Sequence, residues 1–214
     1  MKTLLVPVDF SPNAINAARY AMGFARQVGA KIMLLYAWQL PLVLPLENGL
    51  ELTPEGLREH NTMLLKQLAE ELNRQASLVK VEYMVLDGTV VAAVNEFTES
   101  IQTLAVVMGI TGAGKVKGKL IGSNALKTAR DCETPVLVVP EAAEFQTITD
   151  IGFTTDFRDV AATTPVQKLK ELLLATGARL HILNVDYEMQ YRNEDTPLQL
   201  SLIHISEPTR QAEI

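Results

Sequence analysis

The chain has 214 residues, 48% of them hydrophobic and 21% charged, with a net charge of −6 and a single cysteine. That length allows one domain or two small ones, the apolar share can build a sizeable core, and the balance argues against a disordered chain. The acidic balance leaves no basic footprint for nucleic acid, and one cysteine excludes an internal disulfide framework and suits a reducing cytosol, so a cytoplasmic protein is expected.

Nothing reads as a targeting segment or a membrane span. The run from Leu4 to Val8 is too short for a signal core, and the greasy stretch Ile32 to Leu46 is broken by Gln39, Pro41 and Pro45. Thr3 to Val8 is a near-continuous apolar run, as expected of a strand buried on both faces, and Asp9 ends it. Ser11-Pro12 reads as an N-cap followed by proline in the first helical turn. Ala14, Ile15, Ala18, Ala21, Met22 and Ala25 then line one helix face, and Gly29 stops it. Lys31 to Ala37 is a second buried strand, and this βαβ opening predicts a parallel sheet with right-handed crossovers.

Residues 39–52 read as a proline-punctuated loop with nothing catalytic on it. Thr53-Pro54 opens a long helix carrying Leu57, Leu64, Leu65, Leu68 and Leu72, on which His60 reads as a solvated residue. Val79 to Leu86 alternates like a strand, and Asp87-Gly88-Thr89 turns into a helix through Val90, Val94 and Phe97. Then come a core strand, Leu104 to Met108, a glycine loop, a helix after Ser123 with Ala125, Leu126 and Ala129, and a last strand, Val136 to Val139. Cys132 reads as an inert packing residue, since no histidine partner is evident for it. Five strands alternating with four helices predict a doubly wound α/β domain with a parallel sheet over residues 1–142. Ligands bind such sheets beyond the carboxyl ends of the strands, at the switch point. Asp9 ends the first strand and Gly109 the fourth, so if those strands are neighbours the acid and the loop face one crevice.

The loop carries Gly109, Gly112, Gly114, Gly118 and Gly122, and Ser123 opens the helix behind it. Backbone N–H groups freed by glycines, together with a helix N-terminus, suit a phosphate. Two motifs compete for these residues. Gly109 to Lys115 meets the P-loop pattern, but Val116 stands where a hydroxyl should bind magnesium, and Gly118 interrupts the helix that should follow. The spacing G-x2-G-x9-G-[ST] is met in full by Gly109, Gly112, Gly122 and Ser123.

That second pattern resembles the nucleotide loop of the universal stress protein family. With Val6-Pro-Val-Asp9-Phe-Ser11, Leu34-Leu-Tyr-Ala37 and Pro135-Val-Leu-Val-Val139, the whole segment from Met1 to Pro140 is similar to a domain of that family. The resemblance implies an adenine nucleotide alpha hydrolase-like fold. It also implies an ATP site, with or without Mg2+, formed by Pro7, Val8, Asp9, Ala37, Met108, Gly109, Gly112, Gly122, Ser123 and Asn124. In it Asp9 contacts the adenine, aided by backbone near Ala37, while ribose and phosphates lie on the glycine loop. Asn124 and Thr111 depart from the family pattern, and Lys115, Lys117 and Lys119 either face the phosphates or are solvated.

A second copy is expected. Thr155-Asp-Phe157 echoes Val8-Asp-Phe10, and Gly177-Ala-Arg-Leu-His-Ile-Leu-Asn-Val185 parallels Gly29-Ala-Lys-Ile-Met-Leu-Leu-Tyr-Ala37, with an amphipathic helix through Val166, Leu169, Leu172 and Leu173 between them. The reading is an incomplete second domain over 147–190, in which His181 is a packed strand histidine, and a non-native tail over 198–214, in which His204 has no role. The expected function is an adenine-nucleotide-binding stress-response regulator without catalytic or metal residues, with at most weak ATP hydrolysis. It is expected to form a homodimer through the apolar edge Val136 to Val139. A nucleotide-free dimeric interaction module and a slow ATP-hydrolysing enzyme are the alternatives.

Overall fold

The computed structural model describes residues 2–40, 46–47, 50–51, 53–75, 78–110, 123–155 and 164–183. The chain divides into two units, Met1–Thr147 and Ile148–Ile214.

In the first unit the apolar runs become the strands β1 (Thr3–Pro7), β2 (Lys31–Trp38), β5 (Val81–Asp87), β6 (Thr103–Ile110) and β7 (Val136–Pro140) of one parallel sheet, in the order β5-β2-β1-β6-β7. β1 sits at the centre because it is apolar on both faces, and Leu4, Leu5 and Val6 are fully buried. The helices α1 (Pro12–Val28), α2 (Pro54–Gln75), α3 (Val90–Ser100) and α4 (Ser123–Asp131) connect the strands. This is the doubly wound five-stranded parallel sheet expected from the sequence.

Local chemistry sets the element ends. Ser11 caps α1, its Oγ accepting from the Ala14 N–H at 3.3 Å, and Gly29 closes that helix in the left-handed conformation. Thr89 caps α3 in the same way, accepting from the Ala92 N–H at 3.2 Å. Beyond β7 the chain is strapped back onto α1. Asn16 Nδ2 donates to the carbonyls of Pro140 and Ala143, both at 3.1 Å, and the Phe145 ring lies on Gly23, where any Cβ would collide with it.

Two expectations are corrected in this unit. The buried face of α1 includes Ala17 and Phe24, whereas Ile15 is only half-buried. The stretch 39–52 is not plain loop, since Leu46–Glu47 (β3) and Leu50–Glu51 (β4) pair antiparallel. Asn48-Gly49 stands between them in sequence, the dipeptide that favours two-residue hairpins. Gly109, expected at the end of the fourth strand, is in β6, paired with Val139, and the strand runs on to Ile110.

The second unit contains β8 (Asp150–Thr154), α5 (Val166–Thr176) and β9 (Arg179–Leu183), with β8 and β9 parallel. His181 is not packed as expected. Its side chain is 53% exposed and its Nε2 lies 2.8 Å from Asp150 Oδ1, because alternate residues of this two-stranded sheet face outward. Asp150 also accepts from Arg179 and Thr149, and His181 and Thr149 do most to hold its carboxyl below the usual range. Thr111, Gly112, Gly114, Lys115, Lys117, Gly118, Lys119, Gly122, Asp156, Phe157 and the stretch 184–214 with His204 lie outside the described residues.

Candidate functional site

The sheet order reverses between β1 and β6: the chain winds from β1 toward β2 on one side and reaches β6 on the other. Connections leaving the two strands therefore diverge and open a crevice at their carboxyl ends. A cavity of about 310 Å³ lies there, within the usual range for small-molecule sites. β1 and the turn after it contribute Pro7, Val8 and Asp9, and the cap and first turn of α1 contribute Ser11, Asn13 and Ala14. β2 adds Leu35, Tyr36 and Ala37, β6 adds Met108 and Gly109, and the starts of α3 and α4 add Val90, Asn124 and Ala125.

Asp9 is exposed, and its carboxylate is fixed by its neighbour. Ser11 donates to Asp9 Oδ1 twice, from its N–H at 3.0 Å and from its hydroxyl at 2.6 Å. Phe10, between them, takes φ +61°, the only positive φ of a non-glycine residue among the described residues. That conformation costs a bulky residue roughly 1–2 kcal/mol, and strain of this kind gathers at functional sites. The Phe10 ring packs on Tyr36, centroids 5.4 Å apart and planes at 33°, and Tyr36 Oη accepts from Asn61 Nδ2 at 2.9 Å. Burial, and then the nearby Asp9 charge, push the Tyr36 hydroxyl above the usual phenol range.

A Cβ on Gly109 would sit 2.2 Å from the carbonyl oxygen of Asn13, so only glycine lets the first turn of α1 approach β6 this closely. The first turn of α4 also faces the cavity, through Asn124 and Ala125. A helix start carries unsatisfied N–H groups and a partial positive charge. The cavity thus has both a fixed carboxylate and a helix N-terminus in its lining.

Of the residues singled out from sequence, Pro7, Val8, Asp9, Ala37, Met108, Gly109 and Asn124 line this cavity. Ser123 is the first residue of α4, and Gly112 and Gly122 lie outside the described residues. Sequence reasoning passed over Ser11, Asn13, Ala14, Leu35, Tyr36, Val90 and Ala125 as wall residues. The signal was available: in a doubly wound sheet the last residues of the strands and the first turns of the helices after them all border the crevice. A second depression, of about 510 Å³, lies between α2 and the start of β5, bounded by Lys66, Glu70, Asn73 and Glu82. It is at the opposite, amino end of the strands. Among the described residues no three His, Cys, Asp or Glu side chains form a metal-binding group, and no helix is long and apolar enough to cross a membrane.

A family model described as the universal stress protein family matches residues 1–140. The chain belongs to the universal stress protein family. Its similarity to individual members agrees. A universal stress protein of Methanocaldococcus jannaschii is 32% identical over 143 residues, covering 64% of this chain and 81% of that one. One from Thermus aquaticus is 26% identical over 138 residues, covering 64% of this chain and 98% of its own length. The crystal structure of a universal stress protein from Archaeoglobus fulgidus superposes with a TM-score of 0.67 at 22% identity, covering 93% of this chain and 71% of that one, a likeness of fold.

Proposed function

We propose that the cavity at the β1–β6 switch holds an adenine nucleotide, ATP with or without magnesium, and that the protein is a nucleotide-binding stress-response regulator. The observation that carries this reading is that Asp9, in the turn after β1, and Gly109, near the end of β6, line one cavity with the start of α4. An anchored carboxylate is an acceptor for the amino group of adenine, beside the backbone of Ala37. The start of α4, with Ser123 and Asn124, and the glycine loop through Gly112 and Gly122 offer N–H groups to the phosphates. Membership of the universal stress protein family supports the same reading. No residue is assigned a catalytic role, and any hydrolysis is slow and incidental. Nucleotide acts by stabilising one conformation or assembly by mass action.

The second unit is proposed to repeat the opening of the first, in the cytoplasmic protein that the single cysteine suggests. The order β8-α5-β9 repeats β1-α1-β2 with the same parallel pairing, and Gly177 closes α5 in the left-handed conformation as Gly29 closes α1.

Thermal unfolding during ATP titration tests the nucleotide reading. At about a hundredfold excess over the dissociation constant the protein should gain roughly 2.7 kcal/mol. Gly122→Val, whose branched side chain would block close approach to the loop backbone, should lose that gain. Stabilisation that survives in Gly122→Val would place the nucleotide elsewhere. No stabilisation of the wild type would leave a nucleotide-free interaction module.

A further inference from the structure

We propose that Tyr36 and Asn61 are positioning residues that aim the Asp9 carboxylate at the nucleotide base and so set a preference for adenine over guanine; this rests on the adenine-nucleotide reading above. The contacts form one relay from α2 to the cavity. Asn61 donates to the Tyr36 hydroxyl at 2.9 Å, and the Tyr36 ring is the surface on which Phe10 rests, 5.4 Å between centroids. Phe10 holds a left-handed backbone that a bulky side chain does not keep without support. With the chain so turned, the N–H and hydroxyl of Ser11 both reach back to Asp9 Oδ1. They occupy that oxygen and leave Oδ2 for the base. The Tyr36 hydroxyl is a neutral phenol near pH 7, so the relay fixes the carboxylate without placing a second negative charge beside it.

The consequence is base selection. Adenine offers an amino donor at the position where guanine offers the O6 acceptor. A carboxylate held at one angle pairs with the first and repels the second. A carboxylate free to turn can find the amino donor that guanine carries on its other edge, and the preference fades. A merely structural Tyr36 behaves differently, because loosening the wall would weaken both bases by the same factor.

Calorimetric titration of ATP and of GTP into the full chain, as wild type, Tyr36→Phe, Asn61→Ala and the double variant, tests this. The wild type should prefer ATP. Each single variant should lower the ratio of ATP to GTP affinity about fivefold, the scale of one hydrogen bond. The double variant should lower it no further, since both changes remove the same bond. An unchanged ratio in both single variants, a parallel fall in both affinities, or a wild type without preference would overturn the proposal while leaving nucleotide binding intact. A wild type that binds neither nucleotide would overturn the underlying reading and this one with it.

Discussion

Gly109 is where the sheet, the first helix and the cavity meet. From sequence it reads as a loop glycine that lets a phosphate approach, but its missing side chain makes room first for protein, the backbone of Asn13 and Ala14. Backbone cannot swing aside as a side chain can. Gly109→Ala should therefore lift the first turn of α1, costing about 1–3 kcal/mol as overpacking does. It should also disturb Ser11 and, through it, Asp9. Chemical denaturation reads the first effect and ATP titration the second. A variant with wild-type stability would show that the turn yields without cost. The same residue scale shows what sequence hides. Asp9 and Gly109 stand out because an acid at a strand end and a glycine before a glycine loop are unusual in themselves. Tyr36 and Asn61 do not, because their significance is a contact between β2 and α2 that no spacing encodes.

At the scale of elements, the two edges of the five-stranded sheet differ. The β5 edge is defended. Asn73 mimics a strand neighbour at its start, with Nδ2 donating to the Val81 carbonyl at 2.8 Å and Oδ1 accepting from the Val81 N–H at 2.9 Å. Glu82 is flanked by Lys31 and Lys80, which hold its carboxyl below the usual range. Charged side chains of this kind discourage strand pairing. The β7 edge has no such defence in its own sequence, and Val136, Leu137 and Val138 are only half-buried. This asymmetry supports the proposed homodimer through β7. Val138→Lys should convert a dimer into monomers, as measured by light scattering at micromolar concentration. A wild type that is monomeric there, or a variant that stays dimeric, would contradict it. The strands and helices themselves were legible because burial on both faces leaves long apolar runs and because Ser11, Thr53, Thr89 and Gly29 mark helix ends. The β3–β4 pair is hard to read from sequence because Pro41 and Pro45 break the stretch and each strand is only two residues long.

For the whole molecule, the order β5-β2-β1-β6-β7 is what makes a site of residues a hundred positions apart, since it sets β1 beside β6. Sequence gives the count and direction of strands, and the neighbour relation then follows from winding in both directions from β1. His181 shows the limit of that logic. A place in a strand predicts a packed side chain, as for Met33, which is buried between β1 and β5, whereas β9 pairs only with β8 among the described residues and leaves the histidine outside with Asp150. The central claim is that one cavity, at the carboxyl ends of β1 and β6, receives the nucleotide. Backbone amide chemical shifts recorded during ATP titration test it most directly. The shifts should concentrate on residues 8–14, 35–37, 108–110 and 123–125. Shifts confined to Lys66, Glu70, Asn73 and Glu82 at the opposite end of the sheet, or none at saturating ATP, would contradict it.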